Sequence, residues 1–302
     1  MYEDIGALLG NGFQTWRRNL NLAMPFLLSS LASILLLMPL VAFFVWNLDP
    51  NMDLKALSEQ EALKRLPELA PILAIGMIGF ALAVTFIGSY FSAGAVGMAK
   101  DACATGWAEI SSLWRYGRRY VLPLFLATII GVLLELAGIA IMAGVLFLAV
   151  GNQARPLIEQ LMAQPDQLDP SMIPADLALA ILGGILIIAL FLMILSLILA
   201  MVPIAMVVED LGAVASITGS ARFFRQNIFD VFVIWLTVFA LSMALSVPSQ
   251  IAPDLAPLWS MLSTAASLLV LSPLATVWWT RLFMNRTGKE LYQSGSIPLD
   301  EI

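Results

Sequence analysis

The sequence predicts an all-α, polytopic integral membrane protein: six transmembrane helices in three hairpins, each preceded by an amphipathic helix in the cytoplasmic interface. Three observations carry this. Of 302 residues, 60% are hydrophobic and 12% charged, where a soluble domain carries about 25% charged, and mean hydropathy is +0.91. Cutting at clusters of charge and proline leaves six apolar stretches, 22–46, 69–99, 121–150, 177–208, 228–247 and 258–280. Each reaches the roughly 20 residues that a helix needs to cross about 30 Å of hydrocarbon. One layout also recurs, with an acidic start, an amphipathic run, a basic end and a pair of spans. Residues 1–302 therefore read as a single transmembrane domain.

The first elbow covers about 3–19. Ile5, Leu8, Leu9, Gly12, Phe13, Trp16 and Leu20 share one helical face, opposite Glu3, Asn11, Gln14, Arg17 and Arg18. After the first span, Ser58-Glu59-Gln60-Glu61 has the pattern of a capping box, opening a short helix that Pro67 stops. The second span is followed by an elbow at about 107–119, with Trp107, Ile110, Trp114, Gly117 and Val121 opposite Glu109, Ser112, Arg115 and Arg119. The loop 151–176 carries four prolines and predicts a short helix at most. The third elbow, about 210–226, has a weaker stripe of Leu211, Val214, Ala221 and Phe224. Residues 248–257 form a turn, and neither longer loop can bury a core of its own. The start Glu-Asp-Ile-Gly-Ala at Glu3 repeats as Glu-Asp-Leu-Gly-Ala at Glu209, and Arg17-Arg18-Asn19 has its counterpart in Arg225-Gln226-Asn227. Acids at the first turn and arginines at the last suit the helix dipole.

Eleven of the fifteen Lys and Arg residues fall on the side that holds both termini, which the positive-inside bias makes cytoplasmic, in the cell membrane. Trp16, Trp46, Trp107, Trp114, Trp259, Trp278 and Trp279 lie at or near stretch ends, where headgroups favour amphipathic rings. The absence of histidine excludes His-based hydrolysis and zinc-helix proteolysis, and one cysteine, Cys103, cannot form an internal disulfide. No metal or cofactor is expected. The net charge of −6 comes largely from loops and offers nothing to nucleic acid. The first stretch starts after a long amphipathic lead with no cleavage site behind it, so it reads as a retained span.

Glu135 brings a charge to the middle of the third span, where an ionised carboxylate is costly. Gly131 and Gly138 share its face, which directs the carboxyl into the bundle. It is either a proton, cation or headgroup site, or a neutral acid bonded to a neighbouring hydroxyl or backbone carbonyl. Asp230, one turn inside the fifth span, reads as a surface acid. Gly76/Gly79, Gly88/Ser92, Ala93/Gly97 and Ala140/Gly144 resemble close-packing seams, and Pro123 and Pro203 predict kinks.

The run Pro203 to Asp210 followed by Ala213 to Ala221 and Phe224-Arg225-Gln226-Asn227 resembles the late motif of a six-span prokaryotic membrane-protein family of unknown function. That family is similar to the membrane domain attached to some glycerophosphodiester phosphodiesterases. Gly12 to Asn19, Ser92-Ala93-Gly94 and Asp101 to Gly106 resemble its other landmarks. The resemblance implies a membrane domain without the phosphodiesterase barrel, whose metal and base chemistry cannot be assembled without histidine.

Two functions follow as expectations. The first is a non-enzymatic protein that binds lipid or a partner membrane protein through its interfacial helices and bundle core. Arg17, Arg18, Arg115, Arg118, Arg119, Arg222 and Arg225 would meet anionic headgroups, each contributing about 1 kcal/mol near the surface. The second is a small-solute or lipid transporter using Glu135 as its coupling or binding group. No catalytic residue is expected, because no nucleophile with a base, aspartate pair or metal constellation is present.

Overall fold

The computed structural model describes residues 2–47, 59–163, 174–251 and 255–292. Every described element is a helix. They run in order as α1 (Ile5–Arg18), a 3-10 turn (Leu20–Ala23), α2 (Met24–Asn47), α3 (Glu59–Thr105), α4 (Ile110–Ala163), α5 (Ala175–Ala200), α6 (Val202–Glu209), α7 (Ala213–Gln226), α8 (Ile228–Ile251), α9 (Ala256–Ala266), a π-helical turn (Ser267–Leu271) and α10 (Ser272–Arg286). Among the described residues, six helical stretches are long and apolar enough to cross a membrane: Leu20–Ala42, Leu73–Thr105, Ile110–Gly151, Ala175–Glu209, Ile228–Pro248 and Ala256–Arg286. α2 packs along α3, α3 along α4 and α4 along α5, while α1 lies on α10 and α6 is held between α3 and α7.

Two predicted boundaries fail. The segment 107–119 is not a separate elbow, because the chain is non-helical only to Glu109 and α4 then runs unbroken from Ile110 through Pro123 to Ala163. An amphipathic stripe is equally compatible with the first turns of a span, so periodicity could not mark an axis change. Likewise α3 runs through Pro67, which stops nothing. Ser58 and its capping box lie outside the described residues, as do 164–173 of the second outer loop.

Pro203 does break its span. It offers no N–H, so α5 closes at Met201, whose N–H donates to the Ile198 carbonyl at 3.2 Å. The Ser220 hydroxyl on α7 donates to that same carbonyl. α6 ends at Asp210, the one described non-glycine residue with positive φ (58°), and the Leu211 N–H returns to the Met206 carbonyl at 3.0 Å. This is the Schellman way of satisfying final carbonyls. Lys100 Nζ donates to the Val207 carbonyl at 2.9 Å, completing the cap.

The two ends of the described chain, near Glu3 and Tyr292, lie together at one end of the bundle. Trp278 Nε1 donates to the Leu9 carbonyl at 3.0 Å, and the Tyr292 N–H donates to the Cys103 carbonyl at 2.8 Å. The core collects at this end, where α6, the middle of α10, residues 93–103 of α3, Leu8, Leu22, Leu113 and Phe223 are buried against one another. Gly94 and Gly97 let α4 sit close: a Cβ on Gly94 would lie 2.8 Å from the Leu113 carbonyl oxygen, and one on Gly97 would overlap the Tyr116 ring. The other predicted seams are open, since nothing lies within 4 Å of a Cβ on Gly79, Gly88 or Gly144.

Candidate ligand-binding site

α3, α4 and the α5–α6 break line a half-open cavity of about 410 Å³. Its polar wall is Thr85, Ser89 and Ser92 on one face of α3, with Thr128 and Glu135 two turns apart on α4. Its apolar wall includes Leu124, Val132, Leu199, Val202 and Pro203. The glycines flanking Glu135 serve α5: Gly131 faces Leu199, and Gly138 lies under the Phe191 ring. Small residues thus bring α5 against the helix bearing the carboxyl, as the sequence predicts, although side chains rather than backbone make the approach.

The carboxyl of Glu135 is half-buried and has no hydrogen-bond or ion-pair partner among the described residues. The hydroxyls around it are differently placed. Thr85 Oγ1 donates to the Ala81 carbonyl (2.7 Å), Ser89 Oγ to the Thr85 carbonyl (2.8 Å) and Thr128 Oγ1 to the Leu124 carbonyl (2.9 Å). Each hydrogen is used within its own helix, which leaves oxygen lone pairs as what these residues can offer.

The end where Glu3 meets α10 carries a second polar assembly that the sequence did not reveal. Arg281, only 1% exposed, grips Glu3 in a two-pronged pair, Nε to Oε2 at 2.8 Å and Nη2 to Oε1 at 2.6 Å. Asn11 Nδ2 donates to the same carboxylate at 2.9 Å. Arg286 Nη1 donates to the Glu3 carbonyl at 3.0 Å, while its Nε reaches Asp230 at 2.6 Å. Asp230 is therefore not the surface acid expected: 19% exposed, it ties α8 to α10. Burial pushes the Glu3 carboxyl up, but the bonds and charge of Arg281, with Asn11 and Arg286, bring it below the usual carboxylate range. Asn19 acts similarly in neutral form, accepting from the Ala108 N–H at 2.8 Å and donating to the Gly106 carbonyl at 3.0 Å.

The seven arginines divide. Arg115 pairs with Asp101 at 2.9 Å, a carboxylate that also accepts from Ser112 and Tyr116, and Arg119 pairs with Asp210 alongside Tyr120. Arg17, Arg18, Arg118, Arg222 and Arg225 make no ion pair among the described residues. Trp107 and Trp114 are exposed as an interfacial role requires, whereas Trp278 is 5% exposed and packs over Gly12. The Trp46 side chain lies outside the described residues. No group of three potential metal-ligating side chains occurs among the described residues.

Sequence alone could have marked Arg281 only weakly. It stands just past a span, where positive-inside reasoning already accounts for a cation, and its partner is 278 residues away.

The five-residue match at Glu3 and Glu209 is not a structural equivalence. Asp4 caps α1 directly, its Oδ1 accepting from the Ala7 N–H at 2.7 Å. Asp210 instead closes α6, and α7 starts three residues later behind Gly212. The other ends do correspond, since α1 and α7 both span 14 residues and both stop at an asparagine, Asn19 and Asn227.

No solved structure matches the chain. An uncharacterised protein of Archaeoglobus fulgidus is 22% identical over 307 residues, covering 95% of this chain and 97% of its own length. The model of a domain of unknown function, DUF7847, matches residues 4–281. With nearly all of its length inside that match and its helices apolar enough to span a bilayer, the chain belongs to the DUF7847 family and has the helices of a multi-pass membrane protein.

Proposed function

We propose that this protein is a non-enzymatic, six-span protein of the cell membrane that takes a lipid or small solute into the cavity at Glu135. The observation that carries this reading is an unpartnered carboxyl on the wall of a roomy, largely apolar cavity. Ligand sites are concave, mostly apolar and furnished with few polar groups, and an ionisable residue at membrane depth is a functional group by default. Three hairpins with interfacial helices at α1 and α7, and both termini in the cytoplasm, complete the reading, supported by the arginines gathered at the end where Glu3 meets α10. The five unpaired arginines would lie among anionic headgroups. Transport, with Glu135 as the coupling group, is the form of this function that a second opening would support, and a partner membrane protein is a further occupant of the interfacial helices. The likeness to phosphodiesterase-attached membrane domains belongs to this same reading.

Accessibility tests it. In lipid nanodiscs, Ser92→Cys should react with a small maleimide, while the native chain should stay silent because Cys103 is fully buried. Ser216→Cys, at a residue with 0% exposure, serves as the sealed control. A Ser92→Cys thiol as unreactive as the control would remove the cavity reading.

A further inference from the structure

We infer that the Glu135 cavity is built for an organic ammonium: a primary amine carried on an apolar body. This rests on the cavity reading above and adds the chemistry of the occupant. Ionised, Glu135 accepts hydrogen bonds and donates none. Thr85, Ser89 and Thr128 have each given their hydroxyl hydrogen to a carbonyl of their own helix, so they too face a ligand as acceptors. Ser92 makes no bond to another described residue and can turn either way. A wall of this kind satisfies a donor and repels an anion. An ammonium supplies three N–H donors and the single positive charge that one carboxylate balances.

Two alternatives fit less well. A bare metal ion does not need about 410 Å³, and no second acid among the described residues stands on the cavity wall to complete its shell. A proton alone would leave the apolar side, Leu124, Val132, Leu199 and Val202, with nothing to cover. An alkyl amine uses both walls. Its head meets the carboxylate and the hydroxyl oxygens, and its chain lies along the leucines and valines.

The test uses the Ser92→Cys protein in nanodiscs of neutral phosphatidylcholine at neutral pH, reading the maleimide reaction rate as dodecylamine, dodecanol or dodecanoate is added to the bilayer. All three share one chain, so partitioning can be measured and divided out for each. Dodecylamine should halve the rate at a membrane mole fraction at least about tenfold below dodecanol, since a charge-assisted bond exceeds a neutral one by that much. Adding Glu135→Gln should bring the two together, and Glu135→Asp should restore the difference, which separates loss of charge from loss of fold. Equal protection by amine and alcohol with Glu135 intact overturns the ammonium assignment while leaving the cavity reading standing. Strongest protection by dodecanoate, or protection by sodium ions alone, overturns it in favour of an anion or a metal ion. Protection by none of these probes, with the introduced thiol still reactive, ends the ligand reading itself.

Discussion

The end of the bundle where Glu3 meets α10 and the half beyond Glu135 have similar helix-rich, glycine-bearing sequence and differ in how much of it is buried. At the first, three glycines sit in contacts that leave no room for a side chain: Gly12 lies under Trp278, Gly94 under Leu113 and Gly97 under Tyr116. At the second, Gly138 under Phe191 and Gly184 against Leu146 are as tight, but Gly79, Gly144 and Gly183 face nothing within 4 Å. Apolar side chains divide the same way, with Leu8 at 0% exposure and Leu148 at 82%. Where lipid is the solvent, an exposed leucine carries no penalty and burial supplies no hydrophobic drive, so helices there can stand apart. Close packing and buried ion pairs then concentrate at one end, and a cavity can persist between helices held together from that end.

The sharpest way to break this contrast is to unpair the buried arginine. Glu3→Ala leaves Arg281 uncompensated, and a loss of about 3–5 kcal/mol is expected in a detergent unfolding assay. Arg118→Ala, at an exposed arginine, should stay within about 0.5 kcal/mol. Equal effects would dissolve the distinction between the ends.

Glycine substitutions grade it next. Gly97→Val should cost about 1–3 kcal/mol by forcing the Tyr116 ring and α4 away from α3. Gly88→Ala, with open space around it, should gain about 0.5–1 kcal/mol through helix propensity. Thermal midpoints of the two variants, measured side by side, would show whether the glycines differ as described.

The pH dependence is smaller and has a definite sign. Because the folded state holds the Glu3 carboxyl below its ordinary value, its contribution is whole above the unfolded value, about 4.3 for a glutamate. It is lost as pH falls from there through the lowered folded value. Glu3→Gln should flatten that part of a stability–pH curve and leave the neutral region level. A loss that sets in above pH 6 instead would point to a different group.

The effect of the headgroup arginines is small for each residue and falls on lipid preference rather than on stability. Neutralising Arg17, Arg18, Arg118, Arg222 and Arg225 together should weaken the preference for anionic over neutral lipid by up to about 1 kcal/mol each. Neutralising only the paired Arg115 and Arg119 should do less, since Asp101 and Asp210 already engage them. Lipid exchange read by native mass spectrometry would measure both.

The membrane class and the mid-helix position of Glu135 were readable because a hydrocarbon solvent leaves a coarse imprint: long apolar runs, with Glu135 and Asp230 the acids inside them. The kink at Pro203 was readable for a local reason, a missing N–H. The cavity wall was not, because serine and threonine bond within their own helix in many spans and only the arrangement of α3 against α4 makes Thr85, Ser89 and Thr128 neighbours of Glu135. The Arg281–Glu3 pair was hidden by its separation along the chain, and Asp230 was misread for the same reason, its partner Arg286 lying on another helix. Pro67 and the continuous start of α4 show a further limit. A proline lowers helix propensity without forcing an end, and an amphipathic stripe does not fix where a helix begins.

A density map of the protein in native-lipid discs bears most directly on the central claim, that a ligand cavity at Glu135 stands open between helices anchored at one end. The account predicts a space between α3 and α4 at Thr85, Ser89 and Glu135, holding density within hydrogen-bond reach of the carboxyl. A carboxyl bonded to a neighbouring helix, with α5 collapsed against α3 and the space gone, would contradict it.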